Sequence, residues 1–261
     1  ERRSCLVGSE MCIRDRLRQY FSVVTKQFPG NVKADNGAVN DLLALEGECT
    51  LYIAVGSGTI NDIVKYSSHR LGVPYIVCPT APSMNGYLSA NASITVNGFK
   101  TTLPAHLPKM VLVDLDILME APLPMIKAGI GDVLCRASCQ FDWYLSHLIA
   151  GTEYRSQPFE WLLGLEKQLL QAHKPDLTCN VSLMNCLVEM LLLSGVGMYI
   201  SGGSSPASQG EHMIAHVLDM AYGEAFPFML HGQQIAMTTI TMLERQEELS
   251  LIHISEPTRQ D

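Results

Sequence analysis

Positive charge, paired cysteines and long apolar runs are all scarce in this chain of 261 residues. Lysine and arginine number 18 against 26 acidic residues, a formal net charge of -8, and nowhere do basic residues form a run. Phosphate backbones are bound chiefly through clustered basic side chains, so nucleic acid drops out of the expected partners. No CxxC spacing occurs among Cys49, Cys78, Cys135, Cys139, Cys179 and Cys186, a pattern that fits reduced thiols and a cytoplasmic location. The longest apolar stretch, Leu187 to Ile200, contains Glu189 and falls short of the roughly 20 residues that cross a bilayer. It is expected to be a buried helix, with no membrane span. Internal repeats and low-complexity tracts are also absent.

The two ends share one origin. Leu6 to Asp15 (LVGSEMCIRD) back-translates to CTC GTG GGC TCG GAG ATG TGT ATA AGA GAC, and the reverse complement of that DNA, read on, encodes Leu249 to Thr258 (LSLIHISEPT). One oligonucleotide read on opposite strands explains both, and it resembles a transposase sequencing adapter translated by accident. Residues 1–16 and 249–261 are therefore expected to be adapter-derived, and residues 17–248 an internal fragment of the genuine protein, cut at both ends. These flanks hold five basic and five acidic residues, so the charge of -8 stays with the remainder.

What is present from Thr50 to about Leu118 is the alternation of a parallel α/β sheet. Thr50 to Val55 predicts a strand, Gly56 to Asp62 a tight turn opening a helix that lasts until Gly72, and Val73 to Val77 the next strand. Met110 to Asp114 predicts a further short strand, Ala92 to Val96 a hairpin element, and Asn31 to Leu45 a connecting helix. Beyond Pro122 and Pro124 apolar residues recur at helical spacing through Ile126 to Ala150, Pro158 to Ala172 and Leu177 to Gly195, placing a domain boundary near residue 122. A polar break, Gly202 to Ser208, then precedes a helix carrying His212 and His216.

Chemistry-bearing residues are few. Gly56-Ser57-Gly58 between strand and helix lets backbone amides approach a pyrophosphate, although Asn61 stands where GxGxxG has its third glycine, and a sharp turn explains the same residues. Pro79 to Tyr87 follows the next strand, where open α/β sheets bind ligands, yet prolines and Asn-Gly also make ordinary turns. Asp132 lies in a helix rich in Leu, Ile and Cys, where a carboxylate needs a partner: a metal, a cap, or an arginine such as Arg136. His212 and His216, four apart, share a helical face, which permits two ligands or one ligand with one substrate-facing residue. His231 begins another helix and can return near His212. A carboxylate with two imidazoles suits zinc, nickel or ferrous iron and leaves a position open for substrate. Cys135 and Cys139 share the face of Asp132, which permits a thiolate ligand, and are read in preference as small buried hydrophobes; His69, His106, His147 and His173 are read as structural or surface groups, and Lys100 as a solvated lysine after a Gly-Phe turn in preference to a contact for a substrate phosphate.

Taken in order, GSGTIND, PTAPSMNGYLSANASIT, AGIGDVLC, GEHMIAH and LHGQQIA give most of residues 50–248 a resemblance to the metal-dependent polyol dehydrogenases often called iron-containing alcohol dehydrogenases, and among them to the sn-glycerol-1-phosphate dehydrogenase family. That resemblance implies an α/β fold in which a Rossmann-like nucleotide-binding domain (17–122) precedes an all-helical metal-binding domain (123–248), a dehydroquinate synthase-like architecture with the active site in the cleft between them. It further implies that Gly56, Ser57, Gly58, Thr59 and Ile60 hold NAD or NADP with Thr80, Ala81, Pro82, Ser83 and Ser89, and that Asp132, His212 and His231 bind one divalent metal. His216 and Asn85 would face the substrate. The upstream strand that selects NAD or NADP is expected to lie outside this chain. The reaction implied is reversible hydride transfer between nicotinamide and the carbonyl carbon of dihydroxyacetone phosphate, with the metal as Lewis acid. A phosphorylated polyol substrate and a homo-oligomer of the intact protein complete the expectation. Glycerol dehydrogenase and a non-catalytic nucleotide-binding fragment are the alternatives; dehydroquinate synthase fits poorly, because a glutamate is expected at the first metal ligand.

Overall fold

The computed structural model describes residues 16–45, 47, 49–171, 179–222 and 229–255, the last five by backbone alone. Residues 1–15 and 256–261 of the adapter-like flanks, and residues 172–178 with His173, lie outside the described residues. The fold is α/β, with a parallel sheet and many helices, and the chain divides into two compact units. One runs to Pro82 and resumes over Gly86–Pro122; the other joins Ser83–Asn85 to the chain from Leu123 onward.

In the first unit Asp35 caps α1 (Asn36–Leu43) by accepting the Ala38 N–H at 2.9 Å, so the helix starts later than the expected Asn31. Strand β1 (Tyr52–Gly56) leads into α2 (Gly58–Leu71), which stops at Gly72, a residue at φ 66° where glycine alone is unstrained. Strand β2 (Tyr75–Pro79) then pairs parallel to β1, from Tyr52 opposite Tyr75 to Gly56 opposite Pro79. Next come β3 (Asn91–Val96) and β4 (Phe99–Pro104), an antiparallel hairpin closed by Asn97 and Gly98, both at positive φ as a two-residue turn demands. Strand β4 was not expected, because none of its residues is buried and its pattern therefore lacks an apolar inner face. On the other side of β2 sits β5 (Met110–Val111). It ends before the expected Asp114 because that side chain caps α3 (Leu115–Met119), accepting the N–H groups of Asp116 and Ile117. Ile63, Val64, Tyr75, Val77 and Ile94 are buried here.

The second unit is helical: α4 (Leu123–Leu134), α5 (Arg136–Ala150), α6 (Gln157–Gln171), α7 (Val181–Ile200), α8 (Gly210–Tyr222) and α9 (His231–Ser255). The helical stretch expected from Ile126 to Ala150 is broken at Cys135 into α4 and α5. Helix α7 begins upstream of the Leu187 run and, at 20 residues, is long and apolar enough by composition to cross a membrane. Most of it is buried: Met184, Leu187, Met190 and Leu191 pack inside the unit, and α7 lies against α6 and α4 as a core helix.

Candidate metal centre

Asp132 occupies the last turn of α4, His212 the first turn of α8, and His231 the first position of α9. Two glycines bring α4 and α9 together. A Cβ built on Gly131 would overlap the Gly232 carbonyl oxygen and stand 2.9 Å from Ala236 Cβ, and a Cβ on Gly232 would overlap the Ala128 carbonyl oxygen. The helices therefore touch backbone to backbone, and each contact glycine is the chain neighbour of a candidate ligand, Asp132 or His231. Asp132 Oδ1 lies 3.8 Å from His212 Nε2 and 4.0 Å from His231 Nε2. Ligand atoms of these three residues all fall within 4.8 Å of one another.

The carboxylate is oriented from behind. The backbone N–H of Asn85 donates to Asp132 Oδ2 at 2.7 Å, leaving Oδ1 turned toward the imidazoles. Arg136, one of the partners considered for Asp132, goes elsewhere: its guanidinium meets Glu166 at 2.5 Å and Gln140 at 3.0 Å, because it projects from α5 toward α6. Asn85 Nδ2 is buried and has no hydrogen-bond partner among the described residues, a donor suited to a substrate oxygen.

The donor set fits a divalent ion. Ligand atoms placed tetrahedrally at about 2.1 Å from zinc stand about 3.4 Å apart. The observed 3.8 and 4.0 Å exceed that by roughly half an ångström, a gap that small side-chain rotations close. Asp132 and His212 are 1% and 9% exposed while the His231 side chain is 30% exposed, so the group opens on one side. His216 is half-buried one turn along α8, its ring centre 6.4 Å from that of His231, beside the group.

Behind His212 lies Glu211, fully buried and unforeseen in the sequence. Its Oε1 lies 2.8 Å from His212 Nδ1 and accepts from the Gln209 amide at 2.8 Å and Cys139 Sγ at 3.1 Å; its Oε2 accepts from Ser138 Oγ at 2.6 Å. Burial raises the pKa of Glu211, but the hydrogen bonds from His212, Ser138 and the Gln209 amide outweigh it and bring the carboxyl down to about 2. Cys135, Glu211 and His212 form a second close group of possible ligands. Cys135 Sγ, however, donates to the carbonyls of Asp132 and Ala207, and burial holds the Cys139 thiol well above its usual value. Both cysteines pack as buried thiols in the α5 core with Trp143, Phe159 and Ile235.

The residues expected to hold a nucleotide belong to the first unit, except Ser83, which accompanies Asn85 in the second. Gly56 ends β1, Ser57 is the N-cap of α2, and Gly58, Thr59 and Ile60 form its first turn. The Ser57 side chain makes no capping hydrogen bond. Gly56 is required by close approach, since a Cβ there would stand 2.7 Å from Ile60 Cβ. Thr80 donates its N–H to the Gly56 carbonyl at 3.1 Å, tying the two loops together at the carboxyl ends of adjacent parallel strands. Tyr87 OH holds the Ala81 carbonyl at 2.7 Å. Lys65, also unforeseen, is fully buried and donates to the Gly86 carbonyl at 2.5 Å, Ser89 Oγ at 3.2 Å and the Asn91 carbonyl at 3.1 Å. The Ser89 hydroxyl is also engaged inside its own loop, 3.0 Å from each of the Gly86 and Asn91 carbonyl oxygens. Burial drives the Lys65 pKa down to about 8 against the attraction of Asp62. Of the other histidines, His106 stacks on Tyr75 and bonds Ser68 Oγ, and His147 bonds the Thr152 carbonyl.

The family model described as iron-containing alcohol dehydrogenase matches residues 12–122. Glycerol-1-phosphate dehydrogenase [NAD(P)+] of Bacillus subtilis (strain 168) is 33% identical over 231 residues, covering 87% of this chain and 58% of that protein. The protein of the same name from Pyrococcus furiosus is 37% identical over 190 residues, 73% of this chain and 54% of its own length. The chain thus spans about half the length of the curated relatives it matches. Among solved structures, glycerol dehydrogenase from Schizosaccharomyces pombe superposes with a TM-score of 0.71 at 21% identity, over 93% of this chain and 62% of that one, a likeness of fold.

Proposed function

Because the chain belongs to the iron-containing alcohol dehydrogenase family, we propose that it comes from a metal- and NAD(P)-dependent dehydrogenase interconverting dihydroxyacetone phosphate and sn-glycerol 1-phosphate. The observation that carries this reading is the approach of His212 Nε2 and His231 Nε2 to Asp132 Oδ1, at 3.8 and 4.0 Å. The phosphorylated substrate is supported by the name of the curated relatives at 33–37% identity. Residues 17–122 are read as the nucleotide-binding domain and residues 123–248 as the helical metal-binding domain, an arrangement of the dehydroquinate synthase type.

When bound, one divalent ion (zinc, nickel or iron) held by Asp132, His212 and His231 supplies Lewis acidity at a substrate oxygen, and the nicotinamide supplies or accepts the hydride. The chain does the rest. The Asn85 amide fixes Asp132 Oδ2, and the Asn85 side chain offers its Nδ2–H groups to a substrate oxygen. His216, at the open side, holds or relays the hydroxyl proton that must enter with the hydride on reduction and leave on oxidation. The first-turn amides of Gly58, Thr59 and Ile60, at a helix N-terminus, would hold the cofactor diphosphate, together with Thr80, Ala81, Pro82 and Ser83 of the neighbouring loop. Ser89 contributes through that loop's shape. A cytoplasmic location accords with the six cysteines of the described residues being thiols, and assembly into homo-oligomers is part of the same reading.

The test is metal dependence. The purified chain, stripped by a chelator, is expected to lose dihydroxyacetone phosphate-dependent oxidation of NADH or NADPH and to regain it with zinc, nickel or ferrous iron. Turnover that survives metal removal refutes the assignment, and a rate on free dihydroxyacetone equal to that on the phosphate refutes the substrate.

A further inference from the structure

Each nitrogen of an imidazole depends on the other. In neutral histidine one nitrogen carries the proton and the other the lone pair, and in solution nothing local fixes which is which. At His212 the choice is made by a neighbour. Glu211 Oε1 stands 2.8 Å from Nδ1. That carboxylate is already an acceptor on both oxygens, since the Gln209 backbone N–H, which can only donate, points at Oε1 and the Ser138 hydroxyl points at Oε2. It therefore receives the Nδ1 proton, and the lone pair is left on Nε2, the nitrogen facing Asp132 Oδ1.

We propose that Glu211 is the positioning residue of the metal centre: by accepting the Nδ1–H of His212 it commits the Nε2 lone pair to the ion and fixes the ring plane. This rests on the reading that Asp132, His212 and His231 hold one metal. Adjacent residues on a helix do not face each other, so the contact needs a cause. Glu211 is in the first turn of α8, where its carboxylate folds back onto the Gln209 amide and is pinned from α5 by Ser138 and Cys139. Glu211 thus ties α5 to the first turn of α8 and holds one ligand in register with the others. Carboxylates behind metal-bound histidines raise ligand basicity, and their loss typically costs about 10- to 100-fold in metal affinity.

Two measurements decide it. In the metal-free wild-type chain, nitrogen-15 spectra of the histidine rings are expected to show His212 with its proton on Nδ1; a proton on Nε2 alone overturns the proposal without reference to any metal or variant. In parallel, zinc affinity is measured by competition with a chromophoric chelator for the wild type, Glu211→Gln and Asp132→Ala. The glutamine variant, which keeps the shape and loses the charge, is expected to bind zinc about 10-fold or more weaker, with its urea midpoint and circular dichroism retained. Wild-type affinity in Glu211→Gln overturns the proposal. Unchanged zinc affinity in Asp132→Ala sinks instead the metal reading on which it rests, while the ring spectrum still reports the hydrogen bond. Should Glu211→Gln not fold, the wild-type spectrum alone decides.

Discussion

Replacing Gly131 by alanine tests the packing that makes the metal centre possible. The added methyl would overlap the Gly232 carbonyl oxygen, an atom of the α9 backbone, so no rotamer change relieves it. Helices α4 and α9 must move apart, and restoring ordinary carbon–oxygen contact takes on the order of 1 Å. Overpacking of this kind costs about 1–3 kcal/mol. The functional cost is larger, because Asp132 follows Gly131 and His231 precedes Gly232. The Oδ1···Nε2 separation is now 4.0 Å. Widening by about 1 Å carries it to roughly 5 Å, beyond the roughly 4.2 Å that two ligands of one ion can span with bonds near 2.1 Å. One ligand is then lost, and zinc affinity should fall by more than about 100-fold, the upper end of effects from groups that only support a ligand. Gly164 in α6 supplies the control: a Cβ there meets nothing within 4 Å, so Gly164→Ala should leave zinc binding alone and add roughly 0.5–1 kcal/mol of stability. Urea denaturation and chelator competition read both variants. If Gly131→Ala binds zinc as tightly as the wild type, the helix contact does not set the ligand geometry and the reasoning fails.

Lys65 predicts a pH dependence. Its folded pKa, about 8, lies below the ordinary 10.5, so between these values the unfolded chain binds more protons and stability rises with pH, by up to about 3 kcal/mol for a shift of roughly 2.5 units. Lys65→Met should lose that rise in urea titrations at pH 7.5 and 10; equal slopes in both proteins would show that the buried amine is not the cause. His216→Asn is expected to lower kcat by about 100-fold or more while zinc affinity stays put, and a parallel fall in zinc affinity would make His216 a ligand instead of a proton handler.

The parts of the fold legible in the sequence are those whose pattern is local. Strand β1, its glycine turn and α2 can be read because alternation gives way to helical spacing and Gly72 stops the helix. Strand β4 escapes because exposed strands carry no burial signal, although Asn97-Gly98 marks its turn. Lys65 carries no signal in the sequence, and only the fold reveals that it is buried against the Gly86–Asn91 loop, with Asp62 buried beside it accepting the Ser93 N–H. The metal centre divides in the same way. Residue types and order single out Asp132, His212 and His231, whereas Gly131 and Gly232 read as small residues until two helices are seen in contact. Glu211 is the extreme case, since its adjacency to His212 argues against the contact it makes.

Two buried carboxylates flank the His212 ring, and their different surroundings bear on what belongs there. Around Glu211 every contact is a hydrogen bond of ordinary length, 2.6 to 3.1 Å, and the charge is satisfied by donors. Asp132 Oδ2 is likewise satisfied by the Asn85 amide at 2.7 Å. At Oδ1 the spacing changes: 3.8 and 4.0 Å to two imidazole nitrogens is too long for a direct N–H···O bond, which spans about 2.7–3.2 Å. With the His212 proton on Nδ1, the atoms facing each other there are a carboxylate oxygen and a nitrogen lone pair, which repel. Placing two acceptors at that separation in a buried site costs free energy unless a cation shares them, and the separation is close to the one a shared divalent ion imposes. Hydrogen-bond economy alone would have drawn Asp132 and His212 together by another ångström; the anchoring of the His212 ring by Glu211 holds them apart.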